Sequence, residues 1–233
     1  MAITVDNTVA VVKSDGGSSV PTASFSATSG QLLLAMGMLD HNSQPYVAAT
    51  ISNSGTALTW TQIVNAGAAD TGAICAWYTH LAADFTTRTV TLTRGSADSD
   101  TPALKVYILT DHDSADILGA STSTTSTTEN LTSASITPET SGVGFGHGVD
   151  WTQSGNPTSS DLTNTSVINS AGNISGIWGY KNLTAAVGAT ANFNAAGTPS
   201  PGNWRYAWFE IRAAATAGPA AGLRTFALTG CGL

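Results

Sequence analysis

The sequence predicts an all-β protein, a two-sheet sandwich assembled from two similar halves. Three observations carry that reading. SGVGFGHGV, residues 141–149, has glycine at every second position, which is the period of a strand whose successive side chains point to opposite faces. Short apolar stretches alternate with clusters of turn formers along the whole chain, and none of them shows a helical apolar period. The second half of the chain also echoes the first.

Strands are expected near 8–12, 31–39, 58–65, 72–80, 88–94 and 103–111, then near 142–150, 162–169, 174–182, 189–194 and 203–212. In the glycine stretch, Val143, Phe145, His147 and Val149 share one face and Gly142, Gly144, Gly146 and Gly148 line the other. Glycine inside a strand marks close approach by a backbone or a bulky side chain. A phosphate-binding loop would instead feed a helix, and the following WTQSGNPTSSDLTNTS is a run of turn formers and β-branched residues.

The repeat is visible strand by strand. LTWTQIVNAG (58–67) resembles LTNTSVINSAG (162–172), with Trp60 on Asn164 and Asn65 on Asn169, 104 positions apart. AICAWYTHL (73–81) resembles SGIWGYKNL (175–183), with Tyr78 on Tyr180, 102 positions apart. LLLAMGMLDH resembles GVGFGHGVDW, setting Asp40 on Asp150, and ALKVYILT resembles WRYAWFEI as the closing strand. Repeats set architecture, and two groups of about four strands suggest two sheets packed face to face. The sandwich is expected over 28–213, with half-repeats near 31–111 and 142–212. Residues 1–27 form an arm and first strand, and 214–233 a linker and C-terminal arm. STSTTSTTENLTS (121–133) joins the halves as either an extended, hydrogen-bonding crossover or a flexible linker.

Only 10% of the 233 residues are charged, against about 25% in an ordinary globular protein. Thr, Ser, Ala and Gly take their place, giving a neutral, hydroxyl-rich surface. A net charge of −7 with eight scattered Lys and Arg lacks the basic patch of a nucleic-acid binder. The longest apolar stretch, QLLLAMGMLD, is too short to cross a bilayer. The N-terminus has no basic segment followed by an apolar core, so no secretory leader is expected. Two cysteines make no disulfide framework, which fits synthesis in a reducing cytoplasm.

Few patterns invite chemistry. THL (79–81) and DHDSAD (111–116) suggest a metal, and Asp111, Asp113 and Asp116 at a bend are suited to Ca²⁺. The EF-hand spacing is absent, and an Asp-rich solvated turn explains the residues better. The four histidines show no zinc-ligand spacing. No G-x-S-x-G elbow leads into a helix, and the three Glu (Glu129, Glu139, Glu210) offer no facing pair. The expectation is a protein without catalytic residues, metal or cofactor. Among the aromatics, Trp77, Trp178, Trp204 and Trp208 lie inside strands and read as core. Tyr46, Trp60 and Trp151 sit at strand ends, where a ring can stack on a glycan. Beyond the small-residue linker, LRTFALTGCGL reads as one more strand. Leu223, Phe226 and Leu228 of this arm suit addition to a neighbour's sheet edge.

The order LLLA, TALTWTQIVNAG, AWYTHLAADFTTRTVTLT, ALKVYILT, followed by GFGHGVDWTQ, IWGYKNL and WFEIRAA, resembles the jelly-roll-like β-sandwich virion proteins of tailed phages. These are minor tail or capsid-surface (decoration) components. The resemblance covers about residues 28–213. It implies a structural role in the virion, through assembly contacts with major capsid or tail proteins and with further copies of itself. It brings no catalytic motif. A carbohydrate-binding module for a host-surface glycan is the alternative.

Overall fold

The computed structural model describes residues 2–39, 47–67, 72–95, 101–126, 130–131, 135–150, 155–170, 174–184, 190–196 and 204–215. Among these residues there are only strands, turns and loops, and every strand pairing is antiparallel. In the first half the strands are β1 (Thr4–Asp6), β2 (Val12–Lys13), β3 (Ser19–Pro21), β4 (Phe25–Ala27), β5 (Leu32–Leu39) and β6 (Thr50–Asn53), then β7 (Thr61–Gly67), β8 (Ala73–His80), β9 (Phe85–Arg88), β10 (Val90–Thr93) and β11 (Pro102–Thr110). The second half contains β12 (Leu118–Ser126), β13 (Asn130–Leu131), β14 (Ser135–Ile136), β15 (Val143–Asp150) and β16 (Thr163–Ser170), then β17 (Ile174–Asn182), β18 (Ala191–Asn192), β19 (Ala195–Ala196) and β20 (Trp204–Ile211).

Each half builds one long inner sheet. The first runs β1-β11-β5-β8-β7, with β2 also on β11, and the second runs β12-β20-β15-β17-β16. The two orders correspond strand for strand. Thr61 lies opposite Tyr78 and Thr163 opposite Tyr180, while Leu34 and Phe145 face those two tyrosines from the other side. Thr61 and Thr163 are therefore equivalent, at the same 102-residue offset as the tyrosines. This corrects the 104-residue match of Trp60 to Asn164 and of Asn65 to Asn169. Both halves place a register shift at the same point, between Gln62 and Val64 and between Thr163 and Ser166, as a conserved bulge would. The match of Asp40 to Asp150 also moves: Leu39 faces Ala73 as Asp150 faces Ser175, so Leu39 is the counterpart of Asp150.

The inner sheets pack face to face through one shared core. Leu32, Leu34, Met36 and Met38 of β5 meet Val143, Phe145 and Val149 of β15, with Tyr107, Trp178, Phe209 and Ile211 around them. Tyr107, Phe145 and Tyr180 form a ring cluster with centroids 5.2–5.7 Å apart, a geometry that adds about 0.5–1.5 kcal/mol per pair beyond area burial. Each inner sheet is covered again on its outer face. Leu33, Ala35, Cys75 and Trp77 pack beneath Val20, Ala27, Phe85, Val90 and Leu92 of the short strands β3, β4, β9 and β10. On the other side, Ile177, Trp204, Tyr206 and Trp208 pack with Ile136, Leu162, Leu183 and Phe193. The result is a stack of four layers, and β5 is apolar at nearly every position because both of its faces are buried.

The glycine stretch is the central strand β15, as its alternation predicts. A Cβ on Gly144 would strike the Phe193 ring, one on Gly146 would come within 2.5 Å of the Tyr206 hydroxyl, and one on Gly148 would strike the Tyr206 ring. The glycines thus make room for two large rings in the outer core. Trp77, Trp178, Trp204 and Trp208 are all buried. The Ser/Thr-rich stretch takes its extended alternative over 121–126, where it forms the edge strand β12. Its counterpart in the first half is broken into β1 and β2. Buried Lys105 reaches into that break and donates to the main-chain oxygens of Asn7 (3.1 Å) and Val9. Two segments distant in sequence meet beside Asp111: Thr4 faces Thr110, and the Ala214 amide donates to the Asp111 main-chain oxygen at 2.8 Å.

Candidate functional site

A cleft of about 720 Å³ opens where three segments distant in sequence converge. One wall is the loop Thr56–Thr59 with Thr61 at the start of β7. A second is the end of β8 (Tyr78, Thr79, His80), the turn Ala82–Asp84, and Phe85 and Arg88 of β9. The third is Ser114–Leu118, the connector between the two halves. The volume lies within the usual range for small-molecule clefts.

The connector is fastened from below. The Asp113 carboxylate accepts the amides of Ala115 (2.9 Å) and Asp116 (3.2 Å), the local turn that Asp favours. The Arg212 guanidinium pairs with Asp116 on the connector and with Glu139 on the loop before β15. Glu210, fully buried, accepts the amides of Glu139 and Thr140 at 2.8 Å each and the Thr140 hydroxyl at 2.7 Å. Gly119 leaves the space for that carboxylate, because a Cβ there would lie 2.5 Å from Glu210 Oε2. Asp113 and Asp116 are thus occupied in a turn and an ion pair, and Asp111 sits exposed at a positive φ. No group of three His, Cys, Asp or Glu is placed to hold a metal among the described residues.

THL and DHDSAD, distant in sequence, come together. The His80 and His112 rings meet edge to face with centroids 5.2 Å apart. His80 is exposed to the cleft and His112 is buried behind it. Burial and then the neighbouring His80 hold the His112 pKa down, against the opposing pull of Asp113 and Asp111.

The charged groups lining the cleft are already engaged. Arg88 lies over the Phe85 ring, 5.6 Å from its centroid, and donates to the Thr56 main-chain oxygen at 3.3 Å. Asp84 accepts the Ser29 amide at 2.9 Å, and Asp116 belongs to Arg212. The polar groups that remain are hydroxyls and one imidazole. The hydroxyls of Thr59, Thr61, Ser114 and Tyr78 and the His80 ring nitrogens make no hydrogen bond to described residues. Leu58, Phe85, Ile117 and Leu118 add apolar surface.

Trp60 is half buried and packs on the outer core of the first half beside this cleft. Tyr46 and Trp151 lie outside the described residues, as do Leu223, Phe226 and Leu228 of the C-terminal arm. The cleft itself was not legible in the sequence, because no one of its three segments carries a motif. The only signal was the pair THL and DHDSAD, which invited a metal and was better explained as an Asp-rich solvated turn. No protein family, curated protein or solved structure matches the chain.

Proposed function

We propose that this chain is a structural component of a phage virion, a jelly-roll-like decoration or minor tail protein that works by assembly contacts. The observation that carries the reading is the shared core between the inner sheets. Two sandwich-like halves, each with its own outer core, are locked into a single block. Such a block offers long, neutral edges to neighbours. Among the described residues, β7 and β16 end their sheets, each paired to a strand on one side, and β16 exposes Thr163, Asn164, Thr165 and Val167. An edge of this kind accepts an added strand, and the alternation in LRTFALTGCGL suits that role for a copy or neighbour. The low charge and abundant hydroxyls fit close packing within a particle.

The test is deletion of residues 223–233. The shortened chain should stay folded yet attach less well to particles lacking the protein, or lose its oligomeric state in light scattering. Unchanged attachment and oligomeric state would overturn the role of the arm. Failure of the full-length chain to join any particle would overturn the virion reading.

Glycan recognition is the second reading, favoured by a specific observation. Of the three rings expected to serve it, Trp60 packs on the outer core, and the support comes instead from the cleft at the inter-half connector.

A further inference from the structure

We propose that the cleft between Thr56–Thr61, Tyr78–Arg88 and Ser114–Leu118 is a binding site for a neutral saccharide. The inference rests on the glycan reading above and is independent of the virion reading.

The argument turns on which groups in the cleft still need a partner. An anionic ligand would look for a free cation, yet Arg88 is held on the Phe85 face and by the Thr56 carbonyl. A cationic ligand would look for free carboxylates, yet Asp84 and Asp116 are held by the Ser29 amide and by Arg212. A purely apolar ligand would strand hydroxyls of Thr59, Thr61, Ser114 and Tyr78 without water or partner, at a cost of about 1–3 kcal/mol for each group buried unpaired. A sugar satisfies both kinds of surface. Its hydroxyls donate to and accept from those side chains and His80, while its C–H face lies on Tyr78, Leu58 and Ile117. Tyr78 and His80 stand on the end of β8, in the frame of the inner sheet, so the polar groups are held in place before the ligand arrives. The third wall is tied down through Arg212.

The experiment probes the folded full-length protein with an array of neutral oligosaccharides (gluco-, manno-, galacto- and N-acetylglucosamine oligomers) alongside sialylated and sulfated ones. Affinities for any hits are then measured by calorimetry. Two variants accompany the parent: Thr61→Arg, an exposed position from which a long side chain fills the cleft, and His80→Ala. The parent is expected to bind at least one neutral oligomer. Thr61→Arg should abolish that binding and His80→Ala weaken it at least about tenfold, with melting temperatures within about two degrees of the parent, as befits exposed positions. Attachment to particles lacking the protein, measured on His80→Ala, which lies on no sheet edge, should be unchanged. That arm separates failure of this site from failure of the virion reading. No neutral binding at millimolar oligosaccharide, undiminished binding by Thr61→Arg, or preference for the acidic glycans would overturn the proposal.

Discussion

The indole N–H of Trp178, in the second half, donates to the main-chain oxygen of Met36, in the first, at 2.9 Å. Both residues are fully buried in the shared core, so this is a directional tie across a mostly apolar interface. Replacing Trp178 by Phe removes the donor and leaves part of the ring volume empty. A loss of about 2–4 kcal/mol is expected in urea denaturation. A variant as stable as the parent would show that the halves are held by apolar contact alone.

His147 of β15 is fully buried in the interface and its ring nitrogens find no well-formed hydrogen bond. Burial pushes its pKa down to about 3, with the backbone of Cys75 and Gly37 pulling weakly the other way. The unfolded chain takes up this proton near pH 6.5, well before the native protein does. Stability is therefore complete above about pH 6.5 and falls as the pH drops toward 3, by on the order of 5 kcal/mol in the limit. His147→Leu should flatten that part of the curve, with its advantage over the parent widening from pH 7 to pH 4. Parallel curves for the two proteins would refute the assignment.

Tyr206 is buried with its hydroxyl lacking a hydrogen-bond partner, and that hydroxyl is what a Cβ on Gly146 would meet. Gly146→Ala should cost about 1–3 kcal/mol through overpacking. Tyr206→Phe should be close to neutral on its own and should restore much of the loss in the double variant. Additive effects in that double-mutant cycle would place the strain elsewhere.

Lys105 faces the shared core, where its ammonium has the carbonyls of Asn7 and Val9 and the Tyr107 ring, 5.1 Å away. Burial lowers its pKa from 10.5 to about 8, partly offset by Asp6. A lysine depressed in the native state penalises folding while it is charged, so its cost is full below about pH 8 and fades toward pH 10. Lys105→Met should lose that rise in stability between pH 8 and pH 10. Because Lys105 holds the break between β1 and β2, the variant should also speed hydrogen exchange at Asn7–Val11. A rise in stability retained by Lys105→Met would assign it to another group.

The glycine strand and the duplication were readable because each rests on a period long enough to see. β5, β8, β11, β15, β17 and β20 are eight or nine residues each. The repeat register was misread by two residues because Asn65 and Asn169 look alike, whereas pairing is set by the shared bulge at Gln62–Val64. The covering strands β3, β4, β14 and β18 are two or three residues long, too short for any alternation to register. Their places are set by the inner sheets, whose outer faces need a cover. The cleft was hidden for a related reason. Thr61, His80 and Ser114 become neighbours only once β7 pairs β8 and the connector folds over the end of the sheet.

The meeting of Thr4 and Ala214 at Asp111 has a mechanical consequence. Tension applied between those two residues would run through β1 on β11 and the short bridge between His112 and Ala213. The load would pass through one corner, and the core shared by the two inner sheets would lie outside its path. A block hung from that corner can be pulled without being sheared.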